Sequence, residues 1–291
     1  MKRWMIVLVA YGLAGTAALV VLQKMDGRGY HPLLEVLIAD IVATCVVFGF
    51  SMFSNNSSIY DPYWSVAPIV IAMWFATDLD ANAPGIRQGC VLALTFAWGA
   101  RLTYNWSRHW KSLEQEDWRY VNIRDQTKLM YWPASFLGIH LFPTLMTFLG
   151  CAPMWYALSS GTRDFGVIDV AAVVVTATAI VIETLADRQL YDFVESKPEQ
   201  GTILNTGLWA WSRHPNYFGE MMFWWGIALF GIAAAPGIMW QLAGAIAITV
   251  MFISVSLPMI EKRMRARRTG WDAYAKKVSI LVPMPPKSET P

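Results

Sequence analysis

The segment SRHPNYFGE places polar side chains at the start of a tryptophan-rich apolar run. Its proline, Pro215, suits the first turn of a helix, because the missing N–H has no helical partner to lose there. The free N–H groups of that turn, beside Arg213 and His214, favour an anion such as phosphate. Asn216 and Glu220 lie four residues apart and therefore share one helix face. An ordinary interfacial belt leaves these two residues unexplained, so we interpret the segment as a binding site.

A second polar stripe lies in the preceding apolar stretch, IVIETLADRQLYDF. Glu183, Asp187 and Tyr191 follow one another at intervals of four residues, which places them on one face of a helix. The two carboxylates can accept hydrogen bonds from ribose hydroxyls or from a carboxamide. They can equally pair with Arg213 or with arginines of the tail, and the residues alone leave both roles open.

The basic segment EKRMRARRTGWDAY follows the last apolar run. Arg263 and Arg267 lie four residues apart on one helix face, and the planar guanidinium group is well suited to clamping phosphate. Attraction to anionic lipid is the alternative reading of this charge. Different arginines can serve each purpose.

Polar residues in the N-terminal half are candidates for acid chemistry. Asp61 stands between Tyr60 and Tyr63 and directly before a proline, which is typical of a turn or a helix cap. Asp40 lies inside an apolar run, where a carboxyl group is costly. Tyr104 stands near the end of another apolar run, in ARLTYNWSRHW.

The composition indicates the elements that must position these residues. The chain is 55% hydrophobic and 15% charged, with a mean hydropathy of +0.37, which is typical of an integral membrane protein. We predict an all-α, polytopic bundle of about seven to eight transmembrane helices, since a span needs about 20 apolar residues. The predicted spans are 4–22, 33–53, 64–80, 87–104, 134–158, 165–186, 217–234 and 237–258, the last two joined as a tight hairpin.

The distribution of cations predicts the orientation of the bundle. With eight spans, 18 Lys and Arg residues fall on the side of both termini and 4 on the opposite side. By the positive-inside rule both termini are cytoplasmic. The long polar loops share that side, so the predicted site faces the cytoplasm. The membrane would be the inner membrane of a bacterium or the endoplasmic reticulum of a eukaryote.

Several classes of function have no support in the sequence. The three cysteines lie in apolar stretches and the four histidines are scattered, so no metal site is predicted. There is no Gly-rich dinucleotide fingerprint, no P-loop and no HExxH motif. Nucleic-acid binding has no support either.

Three segments together resemble a known family: LADRQLYDFVESKPEQG, TGLWAWSRHPNYFGEMMFWWGIAL and EKRMRARRTGWDAYAKKV. They are similar to the C-terminal domain of the steroid 5α-reductase family, in particular to a branch of uncharacterised membrane proteins within it. The resemblance implies a helical bundle that binds NADPH in a cytoplasm-facing cavity. It also implies reduction of a carbon–carbon double bond conjugated to a carbonyl group, in a steroid, sterol or polyprenoid drawn from the bilayer.

The resemblance divides one membrane domain, 1–291, into spans on the substrate side (1–94), a cofactor-binding region (95–285) and a tail (286–291). It implies that Asn216 and Asp187 contact the cofactor, with Glu220 following Asn216. Glu183 stands where the reductases have Asn. Together with the residues singled out above, the predicted cofactor-binding set is Glu183, Asp187, Tyr191, Arg213, His214, Asn216, Glu220, Arg263, Arg267 and Tyr274.

The family's reaction also needs a Glu in an early span and a Tyr in the following one, which polarise the carbonyl oxygen and deliver a proton. This chain has no clear Gln-Glu pair in that region. Asp61 or Asp40 is expected to replace the Glu, and Tyr104, Tyr60 or Tyr63 is expected to be the Tyr.

Two alternatives remain open from the sequence. RHPNYFGE followed by a hairpin also resembles the isoprenylcysteine and phospholipid methyltransferases, which bind S-adenosylmethionine; Glu261 would then bind the ammonium group of the cofactor. A non-catalytic lipid-binding protein is the second alternative. The basic tail favours the reductase, because NADPH carries more phosphate charge than S-adenosylmethionine does.

Overall fold

The computed structural model describes residues 2–78 and 83–287. The chain divides into two compact units, Met1–Asp164 and Phe165–Pro291. The end of the predicted span 64–80 and most of the tail 286–291 lie outside the described residues. Within the described part of the chain the structure is helical, with one isolated β-bridge between Ser212 and Ser279.

Unit 1 is a helical bundle whose longest helices are α1 Lys2–Met25, α2 Pro32–Phe53 and α4 Gly85–His109. A 3-10 turn, Ser57–Ile59, joins α2 to α3, and π-helical turns Phe136–Leu141 and Tyr156–Ser160 flank α7. Both α3 and α7 contain or begin with proline, and so lack a helical N–H there. The helices are α1 Lys2–Met25, α2 Pro32–Phe53, α3 Tyr63–Ala76, α4 Gly85–His109, α5 Trp118–Thr127, α6 Tyr131–Ser135 and α7 Phe142–Trp155.

Unit 2 is built on a long helical pair followed by the basic tail. The predicted hairpin is confirmed, since residues 235–238 separate α9 from the next helical turn. A π-helical turn, Phe252–Ser256, makes α10 and α11 nearly continuous. The helices are α8 Val167–Glu195, α9 Pro215–Ala234, α10 Ala243–Met251, α11 Leu257–Arg267 and α12 Trp271–Lys277.

Six helical stretches of the described residues are long and apolar enough to cross a membrane, which indicates an integral multi-pass membrane protein. Two of the eight predicted spans do not meet this description. Helix α3 has only 14 residues, and α4 has 25 but carries Arg87, Arg101 and Arg108. The six stretches are Arg3–Met25, Pro32–Phe53, Trp118–Ser160, Val167–Glu195, Pro215–Ala234 and Met239–Arg267.

Close packing of α8 against α9 positions the polar stripe beside the SRHPNYFGE segment. A Cβ added to Gly219 would lie 2.7 Å from Glu183 Cβ, and one added to Gly226 would lie 3.0 Å from Thr176 Cβ. Small residues let membrane helices approach at this distance. The two predicted polar elements of unit 2 are therefore held together by glycine-mediated packing.

Candidate functional site

Unit 2 contains a cavity of about 240 Å³ beside the first turn of α9. Its wall is mostly aromatic and aliphatic, with two arginines and one amide among the lining groups. A ligand in it would contact planar rings and a small number of polar groups, which is typical of ligand sites. The lining residues are Leu190, Phe193, Ile203, Leu204, Trp209, Arg213, His214, Asn216, Tyr217, Ile260, Met264, Arg268, Trp271 and Tyr274.

Glu261 of α11 forms hydrogen bonds with three residues on one side of the cavity. Its Oε1 atom lies 2.9 Å from Arg213 Nε and 2.8 Å from His214 Nε2. Its Oε2 atom accepts a hydrogen bond of 3.2 Å from Trp271 Nε1. Both carboxylate oxygens are thus already bonded within the protein.

Arg213 also forms hydrogen bonds with the tail segment. Its Nη1 atom donates to the carbonyl groups of Ala275 and Val278, at 2.8 and 2.9 Å. The Arg213 backbone N–H donates to Ser279 O at 2.8 Å. Arg213 therefore lines the cavity, but much of its hydrogen-bonding capacity holds the fold.

The helix start predicted at Pro215 is confirmed, since α9 begins at that residue. Asn216 in the first turn donates from Nδ2 to Asp187 Oδ1 at 3.2 Å. This bond joins the predicted stripe on α8 to the predicted motif on α9. Asp187 does not itself line the cavity, so it contacts Asn216 on the side that faces away from the cavity.

The other acidic groups of the predicted cofactor set lie away from the cavity wall. Glu183 and Glu220 are buried, at 3% and 2% exposure, and neither lines the cavity. Glu220 Oε1 accepts a hydrogen bond of 2.9 Å from Trp224 Nε1, one turn along α9. Tyr191 is partly buried on α8 and does not line the cavity.

The tail contributes a different arginine from those predicted. Arg268 lines the cavity, and its Nη1 atom donates to Thr202 O at 2.8 Å. Arg263 and Arg267 do not line it, and Arg267 is exposed. Of the predicted phosphate clamp, the structure therefore places neither member at this cavity.

Tyr274 of the tail lines the cavity. Its hydroxyl group donates to Trp209 O. Burial raises the pKa of Tyr274 above its ordinary value, Arg213 lowers it and Glu261 raises it. The phenol is therefore a neutral hydrogen-bonding group at physiological pH.

Sequence reasoning missed the cavity residues Trp209, Tyr217, Arg268 and Trp271. One available signal was the Thr-Gly step before Trp271. Gly270 has φ +79, a left-handed conformation that glycine adopts without strain. It ends the arginine-rich helix and turns α12 back, so that Trp271 and Tyr274 face the cavity.

In unit 1 the structure pairs two of the five candidates for the acid and the tyrosine. The Tyr63 hydroxyl donates to Asp40 Oδ1 at 2.6 Å and lies 3.1 Å from Asp40 O. Both residues are 6% exposed. Among the described residues Asp40 Oδ2 has no hydrogen-bond partner. A buried polar atom without a partner is costly and is a common feature of functional sites.

Two further candidates, Asp61 and Tyr104, are placed differently. Asp61 accepts a hydrogen bond of 2.7 Å from Tyr120 of α5. It does not cap α3, where Pro62 occupies the cap position and no side chain bonds the first turn. Burial raises the Asp61 pKa to about 7, against the lowering effects of the Tyr120 hydrogen bond and of Arg119. Tyr104 is 62% exposed.

No group of three His, Cys, Asp or Glu residues in the described part of the chain is arranged to hold a metal ion. The chemistry that these side chains offer directly is hydrogen bonding and proton transfer.

Comparison with known proteins places the chain in a family. The matching family is described as "Protein of unknown function (DUF1295)", and the match covers residues 47–278. The chain belongs to the DUF1295 family. All residues that line the unit 2 cavity, and Tyr63 of unit 1, fall inside the matched segment, whereas Asp40 precedes it.

This DUF1295 protein has a relative in Schizosaccharomyces pombe, the uncharacterised protein C594.04c. The two are 28% identical over 276 residues, which cover 87% of this chain and 80% of the relative. No solved structure matches the chain significantly.

Proposed function

We propose that this protein is an NADPH-dependent membrane reductase. Its substrate would be an apolar lipid, steroid-like, sterol-like or prenoid-like, whose carbon–carbon double bond is conjugated to a carbonyl group. The proposal rests chiefly on one observation, the buried Asp40–Tyr63 pair with its unpartnered Oδ2 atom. The steroid 5α-reductases need an acid on an early helix and a tyrosine on the following one, and in our proposal this pair would supply both.

The pair has the arrangement of a general acid. Asp40 Oδ1 is occupied as an acceptor by Tyr63, so a proton on the carboxyl group would reside on Oδ2. From there it can be donated to a carbonyl oxygen, which polarises the conjugated double bond. The surrounding helix is apolar, so the substrate would reach the pair from the bilayer.

We propose that the unit 2 cavity holds one end of NADPH. Its volume of about 240 Å³ is below the roughly 300–1,000 Å³ of sites that enclose a whole ligand. Trp209 and Tyr217 would contact an aromatic ring of the cofactor, and Arg268 would bind a phosphate. Asn216, oriented by Asp187, would accept or donate a hydrogen bond at the rim. NADPH, when bound, supplies a hydride ion.

The residue on which the methyltransferase alternative depends is already bonded within the protein. Glu261 was expected to bind the ammonium group of S-adenosylmethionine, but its two oxygens are bonded by Arg213, His214 and Trp271. A non-catalytic lipid-binding role would not account for the Asp40–Tyr63 pair. We further propose that the cofactor site faces the cytoplasm, because the polar loops and most cations share one side of the predicted bundle.

Thermal unfolding of the purified protein with NADPH, NADH or S-adenosylmethionine tests the proposal. Ligand that binds the folded state raises the unfolding temperature. We expect stabilisation by NADPH, and stabilisation by S-adenosylmethionine alone would refute the reductase. Asp40→Asn and Tyr63→Phe should keep the NADPH shift but abolish NADPH oxidation with conjugated-enone lipids, such as a 3-oxo-4-ene steroid or a polyprenal.

A further inference from the structure

The segment 278–287, which follows α12, is bonded to the residues that directly precede α9. Three hydrogen bonds hold it there. They join Arg213 N to Ser279 O, Ser212 Oγ to Leu281 O and Met284 N to Trp211 O, at 2.8, 2.7 and 3.1 Å. The segment is therefore a fixed part of the surface of unit 2.

Apolar side chains of this segment are exposed at every second position. Ile280, Val282 and Met284 are 42%, 48% and 51% exposed, whereas the two residues between them are partly buried. Trp211, whose carbonyl group accepts from Met284 N, is 47% exposed. These four side chains form what we call the apolar strip. Clustered exposed apolar groups of this kind indicate a contact with another protein or with a membrane.

The apolar strip lies close to one end of a helix that can cross a membrane. Helix α9 begins at Pro215 and is one of the six stretches long and apolar enough to do so. Arg213, which bonds Ser279, precedes Pro215 by two residues, a distance of at most about 7 Å along the chain. The headgroup layer on each side of the hydrocarbon core is about 5–7 Å thick. With α9 in the bilayer, the strip therefore lies at the level of the lipid headgroups.

Positive charge accompanies the apolar strip. Lys276 and Lys277, at the end of α12, are both exposed. Lys287, which is exposed as well, donates from its backbone N–H to Lys277 O at 2.9 Å. No Asp or Glu occurs between positions 273 and 287. Cations beside apolar side chains complement an anionic lipid surface, and tryptophan is enriched at the same level of the membrane.

A strand of another protein is a less suitable partner for this segment than lipid is. Pairing with a strand requires backbone N–H groups, and proline has none. Three prolines stand at positions 283, 285 and 286, and the N–H of Met284 between them is already bonded to Trp211 O. Lipid makes no such demand, because water remains available to the backbone in the headgroup layer.

We propose that the apolar strip and the two lysines of α12 form an interfacial anchor, which inserts into the anionic lipid leaflet at this end of α9. The apolar side chains enter the boundary of the hydrocarbon core, and the ammonium groups bind lipid phosphates. The segment is bonded to Arg213, which lines the unit 2 cavity, so the anchor holds the cavity wall at the membrane surface. The inference does not depend on the proposed function.

Electron paramagnetic resonance of a nitroxide label tests where the strip lies. The label is attached to Val282→Cys in the full chain, with Cys45 and Cys90 replaced by alanine; Cys151 is 0% exposed and stays unlabelled. The protein is reconstituted in nanodiscs of phosphatidylcholine and phosphatidylglycerol, without NADPH. Relaxation of the label by oxygen reports lipid, and relaxation by a water-soluble nickel complex reports water. We expect oxygen to have the larger effect at position 282.

A label on Glu199→Cys is the matched control for the surroundings. Glu199 is an exposed residue of unit 2, in the loop between α8 and α9. The nickel complex should have the larger effect there.

The role of the lysines is measured as the ratio of the lipid-inserted to the water-exposed component of the spectrum. A cation near an anionic membrane contributes a factor of about five to such an equilibrium. We expect the ratio to fall about five-fold in Lys276→Gln and in Lys277→Gln, and to fall for the unsubstituted lysines in phosphatidylcholine alone. Lys197→Gln removes the same charge from another exposed position and should leave the ratio nearly unchanged.

Three results would overturn the anchor. A larger effect of nickel than of oxygen at position 282 would place the strip in water. Weak relaxation by both reagents would place it against protein, and broadening between labels would identify a second copy of the chain. A ratio that responds neither to phosphatidylglycerol nor to the loss of the lysines would rule out binding to anionic lipid.

A second measurement applies if the variant without Cys45 and Cys90 does not fold. Trp211→Phe is compared with the wild-type protein in nanodiscs of ordinary lipid and of lipid with brominated chains. The emission lost in this variant belongs to Trp211, and we expect brominated lipid to quench it. Emission of Trp211 that is equal in the two lipids would overturn the anchor.

Discussion

Arg213 and Glu261 form an ion pair inside unit 2, with Nε and Oε1 2.9 Å apart and side chains only 10% and 11% exposed. The residues are separated by 48 positions, so the pair joins the start of α9 to α11. His214 contacts the same oxygen at 2.8 Å. The cavity wall and the basic tail are thus stabilised by one shared carboxylate.

Replacement of Glu261 by glutamine should strongly destabilise unit 2. The change leaves the Arg213 guanidinium group buried without its counter-charge, which typically costs about 3–5 kcal/mol. We expect a lower unfolding temperature in detergent, together with loss of any NADPH shift. Asp272→Asn is the control, because its ion pair with Arg265 is exposed and should contribute little. Equal stability of Glu261→Gln and the wild-type protein would contradict the role of this carboxylate.

The close approach of α8 and α9 at Gly219 predicts a second stability effect. In Gly219→Ala the new Cβ would lie 2.8 Å from Ala179 O and 2.7 Å from Glu183 Cβ. Overpacking of this kind typically costs about 1–3 kcal/mol, and here it pushes Asp187 away from Asn216. Gly49→Ala on α2 is the control, since nothing lies within 4 Å of its added Cβ. Thermal unfolding of both variants checks the prediction, which fails if Gly219→Ala is as stable as Gly49→Ala.

Apolar runs and proline positions predicted most of the helical architecture. The long spans, the helix start at Pro215 and the hairpin at 235–238 follow from local sequence, because bilayer thickness and backbone hydrogen bonding act on each segment separately. Helix α3 was predicted to continue to residue 80, but it ends at Ala76, directly before Thr77 and Asp78. Hydropathy does not register the point at which a chain turns.

The partners of polar side chains could not be read from the sequence. Asp40 lies inside an apolar run and Asp61 lies between two tyrosines, and only the fold brings Tyr63 to Asp40 and Tyr120 to Asp61. Likewise, helical spacing favoured Arg263 and Arg267 as cofactor-binding residues. In the fold, with its turn at Gly270, Arg268 lines the cavity instead. These choices depend on packing between distant segments.

Asp61 should make the stability of unit 1 depend on pH. Its pKa is raised from 3.8 to about 7, chiefly by burial, so the folded protein binds the proton more tightly than the unfolded chain does. This contribution to stability is therefore full below about pH 4 and is lost as the pH rises through 7. The unfolding temperature of Asp61→Asn, relative to wild type, should thus increase between pH 5 and pH 8. A constant difference across this range would show that Asp61 does not titrate there.

Arg268 should decide the affinity for NADPH, although the spacing of the tail favoured its neighbours. It lines the unit 2 cavity, whereas Arg267 does not and is exposed. A hydrogen bond to a charged group contributes about 1.5–3 kcal/mol, which corresponds to roughly a ten-fold to hundred-fold change in Kd. We expect Arg268→Gln to weaken NADPH binding by that factor, measured by titration of tryptophan fluorescence, and Arg267→Gln to leave it nearly unchanged. Because Arg268 also donates to Thr202 O, the unfolding temperature of each variant without ligand must be measured alongside. Equal loss of affinity in the two variants would mean that general positive charge, rather than the cavity arginine, attracts the cofactor.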